Sequence, residues 1–280
     1  MKCRKCAQAQ DWKDMIKDIT IGQYYQAESI IHRLDPRVKL MGTLVFIISL
    51  FLGMNIWIYA FVTVALAAVI AISKIPLKFM VRGLKSIVIL IIISAVFNLF
   101  LTPGETLIQI WKLTITYEGL KTAIFMVVRL VYLILGTSLM TLTTTPNNLT
   151  DGLEKGLGFL KYIKVPVHEI AMMMSIALRF IPILVEETDK IMKAQMARGA
   201  DFENGNIIKR AKAMVPILVP LFVSAFRRAN ELAMAMEARC YHGSEGRTKM
   251  KPLKYAKRDK IAYLCMFVYL GVLILIKIFV

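Results

Sequence analysis

The feature that most constrains the fold of this chain is a series of long apolar stretches with almost no charged residues. A helix needs about 20 apolar residues to cross a hydrocarbon core of roughly 30 Å. The composition agrees, because 57% of the 280 residues are hydrophobic and the mean hydropathy is +0.60. The sequence therefore predicts an all-α, polytopic integral membrane protein with about five transmembrane helices, at residues 38–55, 56–73, 86–101, 122–142 and 261–280.

The positive charge is uneven along the chain and predicts its orientation. Lys and Arg outnumber Asp and Glu by 36 to 19, and they concentrate in some connecting segments. Because short basic loops stay in the cytoplasm, we expect segment 1–36 and loop 74–85 inside and loop 102–119 outside. The last helix would then carry the C-terminus outward. This is the pattern of a multi-pass cell-membrane (inner-membrane) protein in a lipid bilayer. Nucleic-acid binding is not expected, since long stretches carry no charge.

The N-terminal segment, 1–36, is polar and shows no cleavable signal peptide. It contains Cys3 and Cys6 at a metal-ligand spacing, and Cys240 with His242 could complete such a site. The two pairs are far apart along the chain, so we expect no metal site. The tail formed by residues 1–18 has no predicted function.

Between the four transmembrane helices of 37–142 and a basic linker at 249–260 lies segment 143–248, which has a different composition. Its apolar runs, 170–185 and 213–226, are short, contain prolines and lead into charged helical stretches. Short apolar runs are typical of interfacial or protein-buried helices. We expect two long helices that cross at the inner membrane surface, each either kinked or broken at its prolines.

The second of these helices carries apolar residues seven positions apart, which predicts a packing seam. Several of the residues are small and would allow a close approach of two helices. The two rows are Ala211, Leu218, Ala225 and Leu232, and Val215, Phe222, Ala229 and Met236.

Both long helices end in similar residues, Ala197-Arg198-Gly199 and Ala238-Arg239-Cys240. Gly199 and Gly243 are available to stop the helices. A single Arg at a helix end can simply complement the helix dipole. Two matched ends favour insertion of each guanidinium into an acidic groove of another protein.

Three stretches resemble the transmembrane (T) component of energy-coupling factor transporters, a class of vitamin and metal importers. They are Ser29 to Leu40 before the first span, Thr143 to Pro146 at the entry to the coupling domain, and the two Arg-containing ends. The resemblance covers about residues 20–280. One departure from the family pattern is Cys240, where the second motif often has Gly.

The resemblance implies a scaffold without catalytic activity that works with separate subunits. Two ABC-type ATPases would each take one Arg motif, and the non-identical motifs favour an ATPase heterodimer. A membrane-embedded S component would bind the substrate and lie against the long helices, which would make segment 143–248 a coupling domain. The implied contact residues are Met173, Pro182, Pro216, Pro220, Phe222, Ala225 and Ala229. The chain has no G-x-x-x-x-G-K-[ST] loop, so we expect ATP on the partners and no cofactor here.

Some titratable residues invite other interpretations. Asp35 and Pro36 have the pattern of a helix start. Arg129, inside the fourth span, is expected to be a structural pin to a backbone carbonyl or a neighbouring helix, or to take part in coupling. Glu186 and Glu187 are expected to be solvated or to make contacts between helices.

For the whole chain there are two alternative functions: a self-sufficient secondary transporter and a membrane-embedded lipid enzyme. The first alternative is disfavoured because the five predicted spans contain no Asp or Glu, which a secondary transporter would be expected to carry near the middle of the membrane. The second is disfavoured because no set of titratable residues stands out as a catalytic group at the membrane surface.

Overall fold

A computed structural model describes residues 24–279 except 26, 54, 86, 111–112, 201–206, 244–249 and 251. The described residues form two compact units, a membrane unit made of 24–156 with 253–279, and a long-helix unit made of 157–252. The membrane unit contains α1 (Pro36–Leu50), α2 (Ile56–Ser73), α3 (Leu77–Lys85), α4 (Val88–Leu101), β1 (Thr106–Ile110), β2 (Leu113–Thr116), α5 (Tyr117–Thr143), α6 (Pro146–Gly156) and α9 (Lys257–Phe279). The long-helix unit contains a 3₁₀ helix (Gly158–Ile163), α7 (Val167–Ala197) and α8 (Ile207–Ala238).

The all-α, polytopic fold class is confirmed. Within the described part of the chain, α2, α5, α7 and α9 are long and apolar enough to cross a membrane, and α4 is a shorter apolar helix. Helices α2, α5 and α9 match the second, fourth and fifth predicted spans. Helix α7 lies in segment 143–248, whose long helices are predicted to cross at the inner membrane surface. Its apolar residues are concentrated in its first part, which carries only Glu169 and Arg179 as charged residues, and charged residues become frequent from Glu186 onward.

The first predicted span ends earlier than expected. Helix α1 stops at Leu50 rather than Asn55, and its 15 residues extend about 22 Å at 1.5 Å per residue. Its last turn tightens because the Phe51 and Leu52 N–H groups donate to carbonyls three residues back. The apolar run therefore continues past the end of the helix.

Two glycines allow helices of the membrane unit to pack closely. A β-carbon on Gly136 of α5 would lie 2.5 Å from the ring of Phe46 in α1, and one on Gly152 of α6 would lie 2.8 Å from Pro36. Larger residues at either position would push the helices apart. A buried cluster of Leu50, Ile58, Val62 and Leu273 joins α1, α2 and α9.

Loop 102–119, predicted to lie outside the cell, contains a small antiparallel hairpin. Strands β1 and β2 pair Thr106 with Thr116 and Ile110 with Leu113. Thr116 then caps α5, because its Oγ1 accepts a bond from the Gly119 N–H at 3.0 Å and donates to the Thr102 carbonyl at 2.8 Å. The hairpin connects α4 to α5 without altering the helical character of the unit.

The two long helices run through their prolines. Helix α7 has 31 residues and contains Pro182, and α8 has 32 residues and contains Pro216 and Pro220. The expected alternative of a helix break is therefore wrong. Pro220 has no N–H, which leaves the Pro216 carbonyl without its usual helical donor. The side-chain amide of Gln195 in α7 points to that carbonyl at 3.4 Å, so the neighbouring helix supplies a donor.

Candidate docking ends and coupling helices

Helix α7 ends in a Schellman motif centred on Gly199. The Gly199 N–H donates to the Met196 carbonyl at 3.0 Å, and the Ala200 N–H donates to the Gln195 carbonyl at 3.0 Å. This pair of bonds defines the motif and requires a left-handed residue after the cap. Gly199 meets the requirement with a φ of +92°. Arg198 is thereby placed at the cap position, the last residue before the chain turns away.

Helix α8 ends in the same motif, with Cys240 in the left-handed position. The Cys240 N–H donates to the Glu237 carbonyl at 2.9 Å, and the Tyr241 N–H donates to the Met236 carbonyl at 3.0 Å. Cys240 has a φ of +56°. The expectation that Gly243 stops this helix is wrong, since the chain has already turned at Cys240. Arg239 takes the cap position, equivalent to that of Arg198.

All six residues of the two ends are exposed: Ala197, Arg198, Gly199, Ala238, Arg239 and Cys240. Within the part of the chain that the structure describes, neither guanidinium has an ion pair or a side-chain hydrogen bond. An Arg held at a fixed backbone position with its five donors available can bind a carboxylate in bidentate fashion. The two predicted docking ends therefore share backbone geometry, exposure and available donors.

The contacts between α7 and α8 show that the helices run antiparallel. Gln195 near the end of α7 meets Pro216 near the start of α8, and Glu187 meets Ser224 and Arg228. Farther along, the Tyr241 hydroxyl lies 3.1 Å from the Met172 sulfur. Arg198 and Arg239 consequently lie at opposite ends of the helix pair.

A polar group in the middle of this interface was not singled out as a functional site from the sequence. Glu187 accepts a hydrogen bond from Ser224 Oγ at 2.5 Å and two from Arg228, at 3.0 Å from Nη2 and 3.3 Å from Nε. Ser224 is buried, and the charged side chains are 34% exposed for Arg228 and 21% for Glu187. Of the two expectations for Glu187, the contact between helices is correct. In the sequence, Glu187 is the second of two adjacent glutamates, and this pattern does not indicate which helix it contacts.

The predicted seam on α8 is displaced from the observed one. Ile217 and Ser224 are buried and Leu221 and Arg228 are half-buried, whereas several predicted seam residues lie on an exposed face. Of the predicted S-component contacts, Ala225 is half-buried, and the exposed ones are Met173, Pro182, Pro216, Pro220, Phe222 and Ala229. An apolar face of α8 is thus available to lipid or to another protein; its members are Met214, Val215, Leu218, Val219, Phe222, Val223 and Phe226.

In the membrane unit, the two other stretches that carry the family resemblance meet each other. The Lys39 ammonium donates to the Thr143 carbonyl at 2.8 Å and to the His32 carbonyl at 3.1 Å. The Tyr25 N–H donates to the Leu142 carbonyl at 2.9 Å. The stretch before α1 is therefore fastened to the end of α5, where the Thr143 to Pro146 stretch begins.

Asp35 and His32 organise the start of α1. Asp35 is the N-cap residue, since its Oδ1 accepts from the Arg37 N–H at 2.9 Å, and Pro36 takes the first helical position. Burial lowers the pKa of His32, which favours the neutral ring. Its Nε2 donates to the Tyr25 carbonyl at 3.1 Å, leaving Nδ1 to accept from the Ser29 hydroxyl at 2.7 Å.

The buried carboxylate of Asp259, at the start of α9, completes this region. Its Oδ1 accepts from the Asp35 N–H at 2.9 Å, and its Oδ2 accepts from the Ala256 N–H at 2.7 Å. The Arg37 guanidinium lies over the Tyr255 ring at 4.8 Å. The first helix of the unit is thus tied to its last helix.

Arg129 is joined to neighbouring elements of the membrane unit. Its Nε donates to the Tyr59 hydroxyl at 3.0 Å, and its guanidinium lies 5.1 Å from the centre of the Phe51 ring. The Tyr59 hydroxyl in turn points to the Leu50 carbonyl at 3.4 Å. These contacts agree with a structural pin between α5 and α2.

Among the described residues, no group of three or more His, Cys, Asp or Glu side chains could hold a metal ion. Cys240 and Cys265 are free thiols. The pair Cys3 and Cys6, and the rest of tail 1–18, lie outside the described residues.

Apolar helices long enough to cross a membrane, together with two long antiparallel helices that each end in an exposed Arg cap, define a class of polytopic membrane protein. Comparison with known proteins identifies the family. Residues 27–250 match the model of the family CbiQ, cobalt transport protein. An energy-coupling factor transporter transmembrane protein EcfT from Clostridium kluyveri is 57% identical over 94% of this chain and 98% of its own length.

The match to other relatives is equally extensive. EcfT of Thermosediminibacter oceani is 55% identical over 89% of this chain and 94% of its own length, and EcfT of Bacillus subtilis is 47% identical over 94% and 100%. The chain therefore belongs to the CbiQ and EcfT family, the non-catalytic transmembrane components of energy-coupling factor transporters. The resemblance stated from the sequence motifs is confirmed.

Proposed function

We propose that this chain is the scaffold that transmits ATP-driven movement from two ABC-type ATPase subunits to a separate, substrate-binding S component in the membrane. The observation that supports the proposal most strongly is the matched pair of helix ends. Arg198 and Arg239 occupy equivalent cap positions in two Schellman motifs, and both side chains are exposed. The same Schellman motif occurs at both helix ends and places an Arg at the cap each time. This repetition favours binding of the two ends to similar grooves on two similar partner subunits.

The antiparallel arrangement supports the assignment of one partner to each end. Because Arg198 and Arg239 lie at opposite ends of the α7–α8 pair, each would meet a different ATPase subunit. The residues flanking them differ, with Gly199 after one and Cys240 after the other, which favours two non-identical ATPases. ATP would bind to those subunits, since this chain has no phosphate-binding loop in its sequence.

This function requires the Arg ends to face the cytoplasm. The Lys/Arg distribution supports that orientation, with the N-terminus inside and the C-terminus outside. The cluster of basic residues at 249–260 would hold the end of segment 143–248 at the inner surface of the bilayer.

The exposed apolar face of α8 is the proposed contact for the S component. Phe222 is 55% exposed, and Ala229 lies one helical heptad further on, also exposed. A small residue beside a large one suits close packing of a partner helix. The substrate would be a vitamin or a transition-metal ion, in keeping with the importer class and with the cobalt transport description of the family.

Docking is tested with the double variant Arg198→Glu/Arg239→Glu in an affinity-tagged chain co-expressed with the transporter's other subunits. We expect normal insertion, loss of both ATPases from the purified complex, and loss of ATP-dependent uptake of labelled Co²⁺ or labelled vitamins into reconstituted vesicles. Arg227→Glu is the matched control, because Arg227 is exposed on α8 but lies within the helix, beside Glu231. Retention of both ATPases by the double variant would refute the docking role.

The S-component contact is tested separately with Ala229→Trp. We expect the ATPases to remain bound and the S component to be lost, because a bulky side chain prevents close approach. Ala235→Trp, at another exposed alanine of α8 outside the apolar face, is the control. Recovery of the S component with Ala229→Trp at the control level would contradict the assignment.

A further inference from the structure

We propose that Glu187, Ser224 and Arg228, the mid-helix latch, form the pivot about which α7 and α8 move during the transport cycle. The inference rests on the proposed function, since it concerns how force applied at Arg198 and Arg239 is transmitted. The latch residues are positioning residues; they are not part of the docking ends. They hold the two helices in one register and so make the movements of the two ends depend on each other.

The first argument is the nature of the contact. The Glu187 carboxylate receives three hydrogen bonds, one from Ser224 and two from Arg228. Such a charge-assisted group has a fixed geometry, unlike apolar contacts, which permit sliding. Polar and ionic groups inside helix interfaces are best known for fixing register. The latch is suited to that task at this interface.

The second argument is position. Glu187 lies eleven residues before Arg198, and Arg228 lies eleven residues before Arg239. Each distance is about three helical turns, or roughly 16 Å along the axis. In an antiparallel pair, this puts the latch midway between the two docking ends. Rotation of α7 and α8 about the latch would then move the two docking ends by similar amounts, because the two helical arms are equal in length.

The third argument comes from the other described ion pairs of the long-helix unit. Asp189 pairs with Lys193 inside α7, and Arg227 pairs with Glu231 inside α8. Both pairs join residues four apart on one helix and make no connection between helices. The Glu187–Arg228 pair is different, because it connects α7 to α8. Removing Asp189 or Glu231 therefore supplies a charge-matched control for removing Glu187.

The test uses the complete transporter in lipid nanodiscs. Ketone-bearing amino acids that replace Ala194 and Ala235 carry spin labels, so the native cysteines are kept. Both positions are exposed and each lies four residues before one Arg cap. Electron–electron resonance measures the distance between the labels with and without ATP plus vanadate. For the unsubstituted latch we expect one narrow distribution in each state, with a shift between the states.

We expect Glu187→Gln and Arg228→Gln to broaden both distributions and to reduce the nucleotide-dependent shift to less than about half. Asp189→Asn should leave distributions and shift unchanged. The exchanged pair Glu187→Arg/Arg228→Glu should restore narrow distributions, which a loss of general stability would not. All variants should retain both ATPases, because Arg198 and Arg239 are intact. If Glu187→Gln prevents assembly, Ser224→Ala, which keeps the ion pair, should still broaden the distributions by a smaller amount.

The pivot is overturned if Glu187→Gln or Ser224→Ala behaves like Asp189→Asn, if the exchanged pair fails to restore the distributions, or if the unsubstituted complex shows no response to nucleotide. The proposed function fails by a different result, retention of the ATPases after reversal of both Arg caps. The two failures are thus read from different variants and different measurements.

Discussion

The ends of α7 and α8 close with the same hydrogen bonds but place different residues in the left-handed position. At the first end Gly199 has a φ of +92°, and at the second Cys240 has a φ of +56°. The second value is close to the ideal left-handed conformation, which a non-glycine residue can adopt at a cost of about 1–2 kcal/mol. The first lies farther from it. The comparison teaches that the third residue of the motif is constrained by the left-handed backbone conformation, which both Gly and Cys can adopt, while the Arg before it is the same at both ends.

The largest effect should come from reversing one Arg at a time. Arg198→Glu and Arg239→Glu should each release one ATPase and keep the other, because the proposed function assigns one ATPase to each end. Loss of a buried charge partner weakens binding by about 3 kcal/mol, or roughly a hundredfold. Native mass spectrometry of the purified complex gives the composition directly. Release of both ATPases by either single change would show that the ends are not independent.

Gly199→Cys makes the two ends alike in sequence and tests the backbone explanation. We expect the end of α7 to lose about 1–2 kcal/mol of local stability, since a side chain is poorly tolerated at this φ. No atom lies within 4 Å of a β-carbon built on Gly199, so the cost would come from the backbone alone. Hydrogen exchange of the amide of Ala200 should accelerate accordingly. Unchanged exchange would contradict a conformational role for this glycine.

Cys240→Gly is the reciprocal change and should have a smaller effect of opposite sign. Glycine relieves the left-handed strain but adds freedom to the unfolded chain, so the net gain is about 0.5–1 kcal/mol. Exchange of the Tyr241 amide should slow, and ATPase binding should be preserved. Faster exchange would mean that the Cys240 side chain makes a stabilising contact of its own.

The smallest effect is expected from removing the contact between Tyr241, just after the end of α8, and Met172 in α7. Tyr241→Phe removes the hydroxyl that lies 3.1 Å from the Met172 sulfur. Hydrogen bonds to thioether sulfur are weak, so we expect a loss of about 0.5 kcal/mol. Exchange of the α8 end should accelerate slightly, with no change at the α7 end. An equal change at both ends would indicate that Tyr241 acts on the whole helix pair.

Much of the fold follows from composition. Helices α2, α5 and α9 were predicted because long uncharged runs have few other stable forms in a membrane. The end of α1 was predicted too late in the sequence because the apolar run continues after Leu50. The helix nevertheless ends there in a tight turn formed by local backbone hydrogen bonds. The continuity of α8 could not be foreseen, since the donor near the carbonyl freed by Pro220 comes from Gln195 on another helix.

The candidate site was predicted in part. The paired Arg motifs are visible in the sequence because each is a local, repeated pattern. The seam was misplaced because a search for apolar residues at intervals of seven passes over inward-facing Ser224 and Arg228. A straight helix also drifts by about 20° per heptad relative to such a repeat. The latch depends on the pairing of Glu187 with Arg228, which are 41 positions apart. No local sequence pattern predicts that pairing.

The hydrogen bond between the Asp35 N–H and Asp259 has a consequence for biosynthesis. Its two residues are separated by 224 positions, so the start of α1 acquires this bond only after α9 has been synthesised. Until α9 is in place, the Asp35 N–H lacks its acceptor on Asp259. Fastening of α1 is therefore a late step in the folding of the membrane unit, and a chain truncated before α9 would lack the Asp259 acceptor for the Asp35 N–H.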